Sequence, residues 1–402
     1  MNSNANVLYL SYDGLCDPLG QSQILPYVLS LCSEGHAFTL ISFEKPSSYK
    51  KYKKHIQNRI AQFPIRWIPL RYSKYPPILA TLYDLMRLQW RVGREVRTQS
   101  YDIIHVRSYL PMLIAEKFRK SHKVIFDMRG FWADERKEGG IWPQTKWVFR
   151  KVYDYFINKE RIFVTHSHAL VSLTHNGVLA LKERYPLVQI EEKVAVIPCC
   201  ADEKRFNPFI DRDDLRRTLG LRKEDKVLIH VGSVGTWYRL DQEIAFFNAL
   251  KEKDERWHFI ILTTEVKKAT DDVLSFAQEP QAIRVLSTSY DQVPSYLSIA
   301  NASILLIEPC FSKRASFPVK LGESLMMGVP VIVNAQVGDN LAYLNGDNNG
   351  IVITEWEEIP QKARAFDIHR FDAEEIRRFA LDNLSLEKGQ QLYASLYHDV
   401  LL

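Results

Sequence analysis

Short apolar runs alternate with helix-length amphipathic stretches along almost the whole chain, and few folds accept that order. Residues 7–11, 37–43, 66–70, 102–106, 123–127, 169–173 and 194–197 read as strands, with helix-like patterns between them near 21–33, 78–98, 112–118 and 144–163. A second series repeats the rule, with strands at 226–231, 257–262, 283–286, 302–307 and 329–333. Runs that are apolar on both faces belong to buried parallel sheets, and helices of this length are the crossovers such sheets require. The alternation breaks once, at PCCADEKRFNPF from Pro198 to Phe209, where two prolines and mixed charge read as an interdomain linker. The pattern therefore predicts an α/β protein with two doubly wound domains facing each other across a cleft. The domains are expected over residues 1–200 and 201–385, followed by a last helix over 386–402 with Leu392, Leu396 and Val400 at helical spacing.

Composition fits two ordinary cores: among 402 residues, 46 % are hydrophobic and 25 % charged. A net charge of +5 is too mild for a nucleic-acid binder. Cys16, Cys32, Cys199, Cys200 and Cys310 show no metal-type spacing and no disulfide framework. The opening MNSNANVLYLSYDG lacks the basic and apolar regions of a signal peptide, and no run is long enough to span a bilayer. The expected location is cytoplasmic. One run stands out: Lys50, Lys51, Lys53 and Lys54, interleaved with Tyr49 and Tyr52, form a basic helix face. Such a face is either solvated or laid on anionic lipid headgroups at the inner face of a membrane.

Function is expected in the loops that follow the strands. In ASFPVKLGESLMMGVPVIV (residues 315–333), Pro318 suits a helix start, and Lys320 and Glu323 share one face of the first turns. A carboxylate and an ammonium beside free backbone N–H groups suit a ligand with hydroxyls and phosphates; solvated side chains on a plain strand-helix-strand unit are the alternative. Gly232 and Ser233, in GSVGTWY after the first strand of the second half, read as a phosphate-facing turn, with Arg239 as a clamp. In the first half, DGLCDPLGQSQ carries Gly14 and Gly20 after the first strand, without the spacing of a dinucleotide fingerprint. His105 and Arg107 end another strand; a buried core histidine is an equal reading of the first. DMRGFWADERKEGGIW places Asp127, Arg129, Asp134, Glu135 and Arg136 together, as site groups or as a salt-bridge cluster. His166 and His168 lack a third metal ligand, and Asp211-x-Asp213 suits a helix cap better than a metal.

These motifs, in this order, resemble the retaining GT-B glycosyltransferases of the large GT4-type family. KLGESLMMGVPVI is similar to that family's donor-binding stretch; DPLGQSQILPYV, DMRGFWADERKEGG and GSVGTWY look like a bacterial subgroup that builds polysaccharides or other cell-surface glycans. The resemblance covers nearly the whole chain. It implies a GT-B fold of two Rossmann-like domains, with the final helix crossing back to the first. It also implies transfer of a glycosyl (hexosyl) group from a UDP- or GDP-linked sugar to a glycan or lipid-linked acceptor, with retained configuration and no metal. Glu323 would then bind the donor ribose, the Gly232 turn would line the diphosphate, and backbone near Gly20 would approach the donor phosphate and sugar. The chain departs from the family pattern at Ala315, where the first of two glutamates is expected, and at Tyr238, where a lysine is usual. Arg107, not His105, aligns with the family's histidine. A nucleotide-sugar 2-epimerase of the same architecture, or a degenerate subunit activating a partner transferase, are the alternatives.

Overall fold

A computed structural model describes residues 4–209, 213–344 and 348–402. Asp211 of the DxD reading lies outside them. The chain divides into two units, Met1–Pro198 with Gly389–Leu402, and Cys199–Lys388.

The first unit is built on a seven-stranded sheet of order β3-β2-β1-β4-β5-β6-β7, with every pair parallel. Its strands are β1 (Asn6–Ser11), β2 (Ala37–Glu44), β3 (Ile65–Arg71), β4 (Ile103–Arg107), β5 (Lys123–Asp127), β6 (Ala169–Ser172) and β7 (Val194–Val196). The central strands are buried along their length, as their unbroken apolar sequences require. The second unit carries a six-stranded sheet, β10-β9-β8-β11-β12-β13, again parallel throughout. These strands are β8 (Lys226–Val231), β9 (Trp257–Leu262), β10 (Ile283–Leu286), β11 (Ala302–Leu305), β12 (Val331–Asn334) and β13 (Gly350–Ile353). The expected pair of Rossmann-like α/β domains is what the chain forms. In each sheet the strand order reverses once, between β1 and β4 and between β8 and β11. Ligands of open parallel sheets bind beyond the carboxyl ends of strands at such a switch point.

Two local differences from the sequence reading have clear causes. The segment after β5 contains a helix, Trp132–Glu138, where a polar loop was expected. Its Trp132 joins a cluster with Trp142, Phe156 and Leu110, and its buried Asp134 receives Arg184 in two hydrogen bonds of 2.9 and 3.0 Å. Arg184 also holds the buried Glu160 at 2.8 Å. The charge around Asp134 is thus a structural network. The loop after β1 coils at once into the helix Pro18–Gln23, which takes in Gly20. A Cβ on Gly20 would lie 2.1 Å from the Gly14 carbonyl oxygen, so the close approach of two backbones fixes glycine there.

The final helix runs Leu386–Leu401. From Gly389 onward it belongs to the first unit, where Tyr393, Tyr397 and Val400 are buried.

Candidate functional site

In the first unit, Arg107 ends β4 in register with Ser11 of β1 and Asp127 of β5, so the switch point itself brings them together. Asp127 is fully buried. Its Oδ2 accepts a hydrogen bond from Tyr393 Oη at 3.0 Å and lies 3.8 Å from both His105 Nε2 and Arg107 Nη1. Arg129 Nη1 stands 3.9 Å from Oδ1. His105, two residues before Arg107, bonds through Nδ1 to Tyr397 Oη at 2.8 Å and packs on Tyr9. Burial opposes ionisation of Asp127, but Arg129, His105 and Arg107 outweigh it and hold the carboxyl below its ordinary range. Burial lowers the His105 pKa more than Asp127 raises it, so the imidazole is held neutral. His105 Nε2, Arg107 Nη1 and Asp127 Oδ1 are buried without a hydrogen-bond partner, which native interiors rarely permit away from functional sites.

Backbone strain falls in the same places. Among the described residues, three non-glycine residues have positive φ: Ser108 (68°), Arg129 (55°) and Thr236 (56°). Ser108 follows β4, Arg129 follows β5, and Thr236 lies in the loop after β8. Each such residue costs on the order of 1–3 kcal/mol and persists where surrounding structure imposes it, commonly at binding sites.

In the second unit, β8 ends at Val231 and the chain turns through Gly232, whose φ of 143° only glycine adopts freely. Tyr238 bridges Ile307, and Glu308 N donates to the Trp237 carbonyl at 2.7 Å, so the loop is pinned to the chain beyond β11. Beneath it, buried His230 and Glu243 stand 2.8 Å apart. Burial works against the His230 charge, yet Glu243 and the Ser233 carbonyl outweigh it and raise the pKa. Tyr238, in the same loop, lies edge-on against His230. Cations border the loop all the same: Lys268 Nζ donates to the Val234 carbonyl at 2.7 Å, and Lys313 Nζ lies 4.0 Å from the Trp237 ring centre.

Pro318 caps the helix Val319–Met326. Glu323 within it is fully buried; its Oε1 accepts from Tyr290 Oη at 2.6 Å and its Oε2 from Lys320 Nζ at 2.9 Å. Burial first, and then Glu323, raise the Tyr290 pKa. Lys320 is also close enough to His230 to oppose its protonation. Lys313, five residues before Pro318, lies 4.0 Å from the Trp237 ring centre, so the loop that starts at Gly232 and the helix that carries Lys320 and Glu323 form one neighbourhood.

The remaining expected residues fall differently. Arg239 is bound by Asp241 (2.8 and 2.9 Å) and Glu308 (2.7 Å), so its charge is already compensated. The Ser233 hydroxyl and the Val234 N–H are both taken by Glu265 Oε2. His166 Nδ1 meets the Ile162 carbonyl and His168 Nδ1 accepts from Val124 N, each a local role. Lys50, Lys51, Lys53 and Lys54 are exposed on the helix Pro46–Ile60. Tyr290, Glu265, Lys268 and Tyr393 were absent from the sequence reading, since nothing local marks a residue whose partner lies 30 or more positions away.

Comparison with known proteins bears on the family and the fold. A family model described as glycosyl transferases group 1 matches residues 211–367, and one described as glycosyltransferase family 4 matches residues 27–205. The chain belongs to the glycosyltransferases of GT-B fold. Among solved structures it is similar to sucrose-phosphate synthase from Thermosynechococcus elongatus, with TM-score 0.74, 13 % identity and 99 % of each chain covered. Anabaena HepE, in complex with UDP and glucose, gives TM-score 0.70 at 13 % identity, covering 98 % of this chain and 100 % of the other. WaaG, a glycosyltransferase involved in lipopolysaccharide biosynthesis, gives 0.68 at 15 %, covering 97 % and 98 %. At these identities the likenesses describe the fold of this glycosyltransferase and nothing narrower. No curated protein sequence matches the chain.

Proposed function

We propose that this glycosyltransferase moves a sugar from a UDP- or GDP-linked donor to a glycan or lipid-linked acceptor in cell-surface polysaccharide synthesis, with retained configuration and without a metal cofactor. The observation that carries the reading is Glu323, a fully buried carboxylate held by Tyr290 and Lys320 in the neighbourhood of the Gly232 turn. Each Glu323 oxygen keeps a second lone pair, which two adjacent ribose hydroxyls would fill. When the bond from the anomeric carbon to the diphosphate oxygen breaks, charge develops on the leaving nucleoside diphosphate. Lys320 and Lys268, with the N–H groups of the glycine loop, are the groups that would meet it, and preorganised donors of this kind lower such barriers. Glu265 now occupies two donors of that loop and would give way to the diphosphate.

In the first unit, the neutral His105, Asp127 and the two arginines would receive the acceptor hydroxyl and the transferred sugar. The complexes of HepE with UDP and UDP-glucose support a uridine donor first, and the involvement of WaaG in lipopolysaccharide biosynthesis supports a surface-glycan acceptor. The lysines at 50, 51, 53 and 54 would bring the protein to anionic headgroups near such an acceptor, at the inner face of the membrane.

The test is thermal denaturation against nucleoside diphosphates and nucleotide sugars. A donor at a hundred times its Kd stabilises by roughly 2.7 kcal/mol. Stabilisation by one base, and label transferred from that donor to a lipid-linked glycan fraction with the α or β configuration kept, is the expected result. A folded protein that none of the panel stabilises refutes it.

A further inference from the structure

The 22-residue helix Pro77–Thr98 has two apolar faces where a surface helix needs one. Ala80, Leu88 and Val92 face the core, together with Asp84 and Glu95. On the other side Ile78, Leu79, Leu82, Tyr83, Met86 and Trp90 are each between 52 and 63 % exposed. At 3.6 residues per turn these six positions fall within about 140° of arc, opposite the buried face. Single exposed apolar side chains are ordinary, but six gathered on one arc mark a binding surface.

Charge identifies what binds. The only acids on this helix, Asp84 and Glu95, are turned inward, where Arg87 meets the first at 3.3 Å and Arg91 the second at 2.8 Å. The exposed ionic groups on the helix, Arg94 and Arg97, are cations, as is Lys74 just before it. Three cations lie over aromatic rings at the margin of the face: Arg87 over Tyr83, Arg94 over Trp90 and Lys74 over Tyr75, at 5.2 to 5.8 Å. Long side chains that cover apolar surface with their stems and carry charge at their tips suit the boundary between hydrocarbon and headgroups. A second copy of this face would bring like charges together, whereas anionic lipid complements both components. No helix among the described residues is long and apolar enough to cross a membrane. The neighbouring helix Trp147–His166, which packs through Phe149 on the same cluster as Leu85, exposes Trp147 and Tyr155 as well.

We propose that helix Pro77–Thr98 lies in the headgroup layer of an anionic bilayer, inserting Leu82, Met86 and Trp90, with its arginines at the phosphates. This rests on the membrane-side reading above and names the element that enters the lipid; the lysines of Pro46–Ile60 then serve only long-range attraction.

The full chain is sedimented with vesicles of phosphatidylcholine alone and of phosphatidylcholine with phosphatidylglycerol. Three proteins are compared: wild type, the triple variant Leu82→Gln, Met86→Gln, Trp90→Gln, and the quadruple variant Lys50→Gln, Lys51→Gln, Lys53→Gln, Lys54→Gln. Wild type should bind the anionic vesicles and be protected there from salt, because apolar insertion is not screened. The triple variant should lose at least about tenfold in partitioning with unchanged melting temperature, and the quadruple variant much less. Wild-type partitioning by the triple variant overturns the proposal, and so does a wild type that ignores both vesicles. A wild-type dimer that the triple variant dissolves, without vesicle binding, overturns it in favour of self-association. Donor-dependent turnover on a soluble glycan, measured in parallel, keeps the two readings apart: it stands or falls with the transferase function, whatever the vesicles show.

Discussion

Replacing Glu323 by glutamine removes one charge from the second-unit site while keeping its volume. Tyr290 would still donate to the amide oxygen, and Lys320, whose side chain is 26 % exposed, can turn its ammonium to water. No charge is stranded in the interior, so folding stability should change by no more than about 1 kcal/mol. Donor binding should suffer far more. A hydrogen bond to a charged acceptor contributes about 1.5–3 kcal/mol, and an amide offers one acceptor where the carboxylate offered two. Loss of the charge and of one acceptor together predicts about 2–4 kcal/mol in donor binding. That corresponds to roughly 30- to 1,000-fold in Kd. Titration calorimetry with the nucleotide sugar found by the thermal panel, on a variant with a wild-type melting curve, measures this directly. Unchanged donor affinity in the folded variant would refute the assignment. A large fall in melting temperature with affinity intact would make Glu323 a purely structural partner of Tyr290 and Lys320.

Two further outcomes follow from the buried pairs. Tyr393→Phe keeps the ring among Tyr27 and His105 but removes the donor to Asp127, so urea unfolding should report a loss of about 1.5–3 kcal/mol. The acid limb of the kcat profile should move up in pH as Asp127 becomes easier to protonate; coincident unfolding curves and profiles would show that Tyr393 does not support it. The raised pKa of His230 sets a second dependence. Its contribution to stability is complete below the ordinary value of 6.5 and is lost as pH climbs through the folded value. Melting temperature should therefore fall more steeply over that window in wild type than in Glu243→Gln, and parallel curves would show that the pair carries no such linkage.

What the sequence disclosed and what it withheld divide along chain distance. The strands were legible because burial on both faces leaves an unbroken apolar run, and the last helix was legible because Leu392, Leu396 and Val400 recur at its period. The helix Trp132–Glu138 was not, since its acidic and basic residues suggest a solvated loop until Arg184, 50 positions on, is seen holding Asp134. Arg239 had the right neighbours in sequence for a phosphate clamp, yet Glu308, 69 positions away, helps to neutralise it. Glu323 and Lys320 were legible as a pair because three residues on a helix suffice to join them; Tyr290 came from 33 positions upstream and left no local trace. Exposure is equally silent: the Leu82, Met86 and Trp90 positions have helical spacing, and only the fold reveals that they turn away from the core.

The two tyrosines that close over His105 and Asp127 are translated long after them. Tyr393 lies 266 positions after Asp127, and Tyr397 lies 292 positions after His105. At about 5–20 residues per second, a ribosome needs roughly 15–60 s to cover that distance. Most of that interval is spent making the second unit, continuous from Cys199 to Lys388, so its whole sequence is available before the first unit, whose sheet is already made, receives its last helix. Order of synthesis and order of completion are thus inverted: the unit that begins first finishes last. A fragment stopped at Pro198 would carry the ends of β4 and β5 without the tyrosine hydroxyls that bond them. A circular permutant opening at Gly389 would supply those hydroxyls first, and its first unit could close before the second was made.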